Sequence, residues 1–263
     1  MRNAIVAAVL SGIACGIVGT YVVARRMVFL GGGITHASFG GIGIAYHFGL
    51  NPIGGGLIFA VLSALGIEWA SAKGRIREDS AIGIVWSVGM ALGIIFIFLT
   101  PGYAPNLMSF LFGDILTVTT ANILWLALLT AVLTAAMLLC RRPIVYSAFD
   151  REYAKSQGVR ADLISAAMTV LTAVAIVLSI RIIGIVLLLS LLTIPPVIAS
   201  IFTKAYGRMT FWSSVMAAVA NFVGIWVAYQ MDFPVGATTI ILLAVTLVTV
   251  KLLSLFRRNK TVQ

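Results

Sequence analysis

The chain has 263 residues, of which 61% are hydrophobic and only 10% are charged, and its mean hydropathy is +1.10. These values exclude a soluble globular domain and indicate an integral membrane protein. The net charge of +10 does not indicate nucleic-acid binding, because Lys and Arg lie at the ends of apolar segments, where they orient helices in a bilayer. Cys15 and Cys140 fall inside predicted spans, so neither a disulfide framework nor a CxxC metal site is expected.

Apolar segments of about 20 residues, long enough to cross a hydrocarbon core of roughly 30 Å as helices, recur along the chain. They predict one all-α polytopic membrane domain over residues 1–263 with eight or nine spans. The nine candidates are Ala4–Ala24, Met27–Phe48, Gly54–Ala72, Ser80–Leu99, Asn122–Cys140, Leu163–Ile180, Ile183–Phe202, Thr210–Gln230 and Val235–Phe256. A shorter segment, Leu107–Leu116, is predicted as a re-entrant or interfacial helix.

The distribution of basic residues predicts the orientation of these spans. With nine spans, sixteen of the eighteen Lys and Arg residues lie on one side and only Arg2 and Arg181 lie on the other. The positive-inside rule then places the N-terminus outside and the C-terminus in the cytoplasm. The longest polar segment, residues 141–162, becomes cytoplasmic, and within it Asp150 predicts a helix N-cap and Gly158 a helix stop. Such an exposed element suits docking of a soluble partner, although an ordered loop is the alternative.

Residues at the span ends are predicted to have local structural roles. Glu78 and Asp79 are expected to cap and favourably charge the start of the fourth span. Glu68 lies one turn before the cytoplasmic edge and is expected to extend its carboxylate to water. The segment Arg181–Gly184 predicts a very tight turn, and Asp114 is expected to face outward or to cap the re-entrant helix.

His36 is the residue most able to carry chemistry inside the membrane. It lies in a glycine-rich stretch about ten residues into the second span, roughly 15 Å along the helix axis and therefore near mid-membrane. A histidine there points into the bundle or a water-filled path, where it can bind a divalent metal ion. The alternative is a histidine hydrogen-bonded to a neighbouring helix for packing. His47 is predicted to be interfacial, and Asp232, at the outer mouth of the last hairpin, either collects a cation or caps the last helix.

Glycine and proline residues also mark candidate positions along a pathway. Gly32, Gly33 and Gly40 allow close backbone approach, either beside a pore or in helix packing. Pro195 and Pro196 interrupt the hydrogen bonding of the seventh span. This break indicates either a bend beside a pathway or a packing kink.

Several motifs in fixed order carry a resemblance to a known family. They are Arg25-Arg26-Met27, Thr35-His36-Ala37, the segment Arg77–Val85, Leu111-Phe112-Gly113-Asp114, the segment Phe149–Ala154, the segment Ile183–Leu187 with Ile194-Pro195, and the segment Asp232–Ala237. Across nearly the whole chain they resemble the zinc/manganese (ABC-3) permeases, the membrane subunits of bacterial ABC importers for divalent metals. The resemblance implies a type II ABC importer fold (vitamin B12 permease-like) in the bacterial cytoplasmic membrane. It also implies a homodimer with the pathway along its axis, a cytoplasmic ATPase and an extracytoplasmic metal-binding protein.

The resemblance also assigns roles to individual residues. The segment Phe149–Val159 matches the coupling helix that contacts the ATPase, which implies that role for Phe149, Asp150, Arg151, Glu152, Tyr153, Ala154 and Gly158. His36 matches the histidine of the family's metal-pathway motif, but the family's aspartate, four residues earlier, falls at Gly32. Without that acid, His36 depends on its copy across the dimer axis, backbone carbonyls, water or Asp232. Histidine-dominated ligation favours zinc over manganese as the transported ion, and no permanently bound cofactor is implied.

The leading hypothesis is therefore the permease of an ATP-driven importer of divalent metal ions. No P-loop motif occurs in the sequence, so ATP hydrolysis is assigned to a partner and the chain itself is not expected to be an enzyme. The alternative is a secondary, proton-coupled transporter, which would bury several ionisable groups along a relay. The eight acids instead lie mostly at span ends. An intramembrane metalloprotease is set aside because no ligand set such as His-Glu-x-x-His occurs.

Overall fold

The computed structural model describes residues 2–72, 76–101, 113 and 118–260, and for residues 257–260 it describes the backbone only. The helices of these residues are α1 Arg2–Ala24, α2 Phe29–His47, α3 Pro52–Ala72, α4 Glu78–Phe98, α5 Thr120–Leu139, α6 Arg141–Phe149, α7 Arg151–Ser156, α8 Ala161–Ile183, α9 Ile185–Phe202, α10 Tyr206–Met231 and α11 Val235–Lys260. The predicted re-entrant helix Leu107–Leu116, including Asp114, lies outside the described residues.

The predicted all-helical membrane architecture is confirmed. In the described part of the chain, eight helices are long and apolar enough to cross a membrane: α1, α3, α4, α5, α8, α9, α10 and the part of α11 up to Phe256. The exception among the long helices is α2, because its glycines and two histidines dilute its apolar character. It nevertheless runs the length of the bundle, packed along α3 and α4. Eight and nine spans are both within the predicted range.

Helix α1 forms the centre of the bundle, packed against α5, α9 and α10. Small residues on α1 allow this close approach, as is common between membrane helices. A Cβ atom added at Gly12 would lie 2.6 Å from the Cα atom of Ala218 on α10, and one added at Gly16 would collide with the backbone of Ser214. Close packing of the apolar core therefore requires residues without a side chain, Gly12 and Gly16, on the side of α1 that faces α10.

Gly12→Ala is expected to destabilise the protein by about 1–3 kcal/mol, because the added methyl group forces α1 away from α10. Gly66→Ala on α3 is the matched control, since an added Cβ there meets no atom within 4 Å. Alanine in an open helical position is expected to be neutral or to stabilise by up to about 1 kcal/mol. Thermal unfolding of both variants in detergent checks this contrast, and equal melting temperatures would contradict the packing of α1 on α10.

Helices α2 and α4 form an equally close pair, again through glycine. A Cβ added at Gly40 would lie 2.7 Å from the carbonyl oxygen of Gly89, and one added at Gly43 would lie 2.6 Å from that of Gly93. At Gly33 an added Cβ would collide with the Ile82 side chain. The close contacts at Gly33 and Gly40 favour helix packing, the second of the two roles considered for them. The two helices are joined backbone to backbone along two turns.

Pro195 and Pro196 are buried within α9. Pro196 has no N–H, so the carbonyl of Leu192 loses its normal partner one turn later. Gly19 of α1 lies against this carbonyl so closely that a Cβ atom there would collide with it. The proline pair therefore faces the contact between α9 and α1, which favours the packing interpretation of this break.

The polar segment 141–162 contains two short helices where one was predicted. The second, α7, begins after the N-cap Asp150, whose carboxylate accepts from the N–H of Tyr153 at 3.0 Å. Gly158 follows with φ +74°, so both predicted boundaries are confirmed. The first, α6, was not predicted, although Pro143 is compatible with its first turn. The predicted turn Arg181–Gly184 is wrong in extent, because α8 continues to Ile183 and Gly184 alone joins α8 to α9.

Candidate functional site

Four charged residues from distant parts of the sequence meet at one end of the bundle. We call Arg25, Glu68, Glu78 and Arg151 the ion cluster, and the end where they lie the charged end. Arg25 follows α1, Glu68 lies near the end of α3, Glu78 begins α4 and Arg151 begins α7. Two guanidinium groups and two carboxylates thus bring four chain segments together.

Arg25 forms the inner half of the ion cluster. Its side chain is only 3% exposed and that of Glu68 is 6% exposed, and their closest atoms, Nη1 and Oε1, are 2.5 Å apart. Its Nη2 atom donates to Glu78 Oε1 at 2.6 Å. Burial disfavours the charged form, but Tyr21, Glu68 and Glu78 raise the pKa of Arg25 above its ordinary value. Arg25 therefore stays ionised as the permanent partner of both carboxylates.

Arg151 forms the outer half and is more accessible, with 21% of its side chain exposed. Its Nη2 atom donates to Glu68 Oε2 at 2.8 Å and to Glu78 Oε1 at 3.3 Å. Hydroxyl groups at the start of α8 complete the arrangement. Ser165 accepts from Arg151 at 3.0 Å and Thr169 donates to Glu68 at 2.6 Å. The first residue of α7 is therefore tied to α3, α4 and α8.

These contacts correct two predictions. Glu68 does not extend to water, because it is only 5% exposed and its carboxylate binds both Arg25 and Arg151. Glu78 does lie in the first turn of α4, but the N-cap is Arg77 without a side-chain hydrogen bond, and the Glu78 carboxylate accepts from Arg25 instead. The signal available in the sequence was Glu68, an acidic residue inside an apolar span, because such residues are usually paired with a basic residue.

The residues predicted to contact an ATPase lie at the end of α6 and on two faces of α7. Glu152 has an 88% exposed side chain, and Phe149 and Tyr153 are 66% and 48% exposed. Ala154 is fully buried against the bundle, and Arg151 points into the ion cluster. One face of α7 is therefore available to a partner while the other is anchored to the membrane helices.

His36 lies near the middle of α2, half-buried, with its ring stacked on Trp86 of α4. The ring centroids are 4.5 Å apart and the planes differ by 11°. Within the described residues neither ring nitrogen of His36 has a hydrogen-bond partner, so the structure does not support a histidine hydrogen-bonded for packing. Trp86 was not singled out in the sequence, because a tryptophan on an apolar helix reads as packing.

His47 shows the opposite behaviour at the other end of α2. Its Nδ1 atom lies 3.0 Å from the hydroxyl oxygen of Thr100, and its ring makes edge contacts with Phe48 and Phe96. Thr100 lies two residues after the end of α4, so these residues lie at the end of the bundle opposite the ion cluster. His47 thus makes a hydrogen bond that holds the structure together, whereas His36 makes none among the described residues.

The other residues considered for a metal site do not surround His36 within one chain. A Cβ added at Gly32 would lie 3.1 Å from the Trp86 ring, so Trp86 covers the position where the family has its aspartate. Asp232 is exposed at the turn after α10, with φ +55°, at the end remote from Tyr206 and the ion cluster. No group of three or more His, Cys, Asp or Glu side chains suited to a metal ion occurs among the described residues. Any metal site at His36 requires ligands from elsewhere.

Known proteins are similar to this chain over most of its length. The model of the ABC 3 transport family matches residues 1–254. A "Probable metal transport system membrane protein" of Chlamydia pneumoniae is 37% identical over 90% of this chain and 83% of its own length. The "Manganese transport system membrane protein MntC" of Halalkalibacterium halodurans is 32% identical over 94% of this chain and 84% of its own length.

A solved structure gives the same result for the fold. A chain of PsaBC from Streptococcus pneumoniae, solved in complex with Fab, has a TM-score of 0.81 and 26% sequence identity, covering 95% of this chain and 90% of that chain. The fold of an ABC transporter permease, implied by the sequence motifs, is confirmed.

Proposed function

Because the chain belongs to the ABC 3 transport family, we propose that it is the membrane-spanning permease of an ATP-driven importer of divalent metal ions. The observation that carries this proposal is His36, a histidine near the middle of the bundle whose two ring nitrogens are unused within the described residues. An unpaired imidazole inside a membrane protein is costly unless it serves a pathway or a ligand. Neutral imidazole is a common ligand for divalent transition metals.

The ligands missing around His36 support a homodimer as the working unit. His36 and Trp86 are both half-exposed, and Gly83 and Ser87 beside them on α4 are exposed. An added Cβ at Gly83 meets no atom within 4 Å. This open, weakly polar face suits a second copy of the chain across a two-fold axis, which brings a second His36 and water or backbone oxygen to the ion. A sparse ligand set binds the ion transiently, and transient binding suits conduction.

Two further partners are proposed, one at each end of the bundle. The charged end carries the exposed side chains of Phe149, at the end of α6, and Tyr153, on α7, an aromatic surface that suits a groove on a cytoplasmic ATPase. The opposite end, where Asp232 lies, receives the ion from an extracytoplasmic metal-binding protein. In this proposal the N-terminus lies outside and the C-terminus lies in the cytoplasm, as the positive-inside rule predicts. The bacterial cytoplasmic membrane is the proposed location.

The choice of metal rests on two opposing considerations. Imidazole ligation favours zinc, whereas manganese prefers oxygen ligands. The relative from Halalkalibacterium halodurans is named for manganese. Competition between the two ions in one uptake assay decides between them.

The complete transporter, with its ATPase and metal-binding protein, is expected to accumulate radioactive zinc or manganese in proteoliposomes only when ATP is supplied to the ATPase side. Collapsing the proton gradient with an ionophore is expected to leave this uptake unchanged. Uptake that persists without ATP and disappears with the ionophore would replace this proposal by the proton-coupled alternative. Hydrolysis without uptake of either ion would reject both metals as cargo.

A further inference from the structure

We propose that the ion pair between Arg151 and Glu78 is the link through which movement of α7 reaches the transport pathway at His36. This inference rests on the proposed role of α7 as the contact for the ATPase. It assigns a positioning role to Arg151, Glu78, Glu68 and Arg25, none of which touches the transported ion.

The first step is the orientation of α7. Its first two residues point in opposite directions, since Arg151 enters the ion cluster while the Glu152 side chain is 88% exposed. The Ala154 side chain is fully buried on the same inner face. A partner that moves α7 from its outer face therefore moves the Arg151 guanidinium with it.

The second step is the difference between the two halves of the ion cluster. The pair of Arg25 with Glu68 is buried at 3% and 6% exposure, whereas the pair of Arg151 with Glu78 is exposed at 21% and 30%. The closest atoms of the inner pair are 2.5 Å apart and those of the outer pair are 3.3 Å apart. Water can compensate partly for the outer pair when it opens, but not for the inner pair. Arg25 also binds Glu78 at 2.6 Å, and Arg151 also binds Glu68 at 2.8 Å. The four residues therefore form one linked cluster, in which the contact between Arg151 and Glu78 is the longest and most exposed and is the one that opens and closes.

The third step leads from Glu78 to His36. Glu78 is the first residue of α4, and Trp86 lies eight residues further along the same helix, roughly 12 Å along its axis. Trp86 stacks directly on the His36 ring. The backbones of α2 and α4 are in close contact through Gly40 with Gly89 and through Gly43 with Gly93, and within this proposal the two helices move as one unit. A force that moves Glu78 therefore displaces α4 and α2 together, and with them the Trp86 and His36 rings.

Glu78→Gln tests this link in the complete, reconstituted transporter. It removes the charge that Arg151 and Arg25 share but keeps the side-chain volume. We expect the variant to assemble with the ATPase and to hydrolyse ATP, while the number of ions transported per ATP falls about tenfold, the effect of weakening a charged hydrogen bond. Asp79→Asn is the matched control, because Asp79 lies in the same first turn of α4 but is exposed and outside the cluster. It is expected to keep the native ratio.

The ion-to-ATP ratio separates coupling from folding, because loss of folded protein lowers uptake and hydrolysis together. Arg151→Gln is expected to reduce the ratio as Glu78→Gln does, and the double variant no further, since both changes remove the contact between Arg151 and Glu78 that carries the coupling. Arg151→Lys, which keeps the charge but not the planar fork, is expected to recover part of the ratio.

A native ratio in Glu78→Gln and Arg151→Gln would overturn the link while leaving the proposed function intact. Reductions that multiply in the double variant would also overturn it, because the two residues would then act separately. Failure of the native complex to transport metal with ATP would instead reject the proposed function itself.

Discussion

Glu68→Gln is expected to lower the free energy of unfolding by about 3–5 kcal/mol, because it breaks a buried group of ion pairs. The Glu68 carboxylate accepts from Arg25, Arg151 and Thr169 in a site where the residue is 5% exposed. Glutamine keeps the size but leaves the buried Arg25 with one carboxylate instead of two. The ion cluster then has two guanidinium groups and one carboxylate. This excess positive charge, rather than the loss of individual hydrogen bonds, accounts for most of the lost stability.

Thermal unfolding of the purified protein in detergent measures this effect. Asp162→Asn is the control, because it removes a carboxylate whose pair with Lys155 is 3.4 Å long and exposed on both sides. Exposed pairs contribute about 0–1 kcal/mol. A second variant, Glu68→Leu combined with Arg25→Met, is expected to recover part of the stability, since apolar side chains replace the buried pair. Equal melting temperatures for Glu68→Gln and Asp162→Asn would show that the buried charges do not stabilise the bundle.

The sequence predicts the elements of this fold that depend on local information. Spans follow from apolar length alone, and the predicted and observed ends differ by only a few residues, as for Gly54–Ala72 against Pro52–Ala72. Helix α7 was predictable in detail because its N-cap Asp150 and its terminating Gly158 act within one turn. Helix α6 was not predicted, because the polar sequence Arg141-Arg142-Pro143 is typical of a loop, and the helices that pack against it are not known from the sequence.

The ion cluster was not predictable, because each of its residues has a sufficient local explanation. Arg25 ends a span, Glu78 begins a helix and Glu68 lies near the membrane edge. Only the packing of α3 against α8, and of α1 between its neighbours, brings these charges together. The family motifs contained three of the four residues, Arg25, Glu78 and Arg151, but the sequence gives no reason to place them in one cluster.

The environment of His36 was predictable only in part. The sequence places it near mid-membrane and shows Gly32 at the position of the family's aspartate. It does not show that Trp86 occupies the space above Gly32, because that contact depends on the register between α2 and α4. This register is set by the contact between Gly40 of α2 and Gly89 of α4, which is seen only when the two helices are packed together. The stacked Trp86 ring stands where a carboxylate would otherwise complete a two-ligand site.

His36→Ala is expected to reduce metal uptake at least tenfold in the reconstituted transporter, because it removes the mid-membrane imidazole whose nitrogens are unused in the described chain. His47→Asn is the matched control on the same helix, since His47 already bonds Thr100 at 3.0 Å. It is expected to retain uptake with a modest loss of stability. Full uptake in His36→Ala would remove His36 from the pathway and with it the main support for metal as the cargo.

Gly32→Asp extends this test by restoring a carboxylate one turn before His36. Its Cβ atom would lie 3.1 Å from the Trp86 ring, so the ring must shift by a few tenths of an ångström. Together with His36 the new side chain forms an i, i+4 ligand pair. We expect tighter equilibrium binding of zinc to the purified variant and slower release during transport. If His36 conducts by binding weakly, a stronger site holds the ion longer and turnover falls, whereas faster uptake would show that the missing acid limits the native protein.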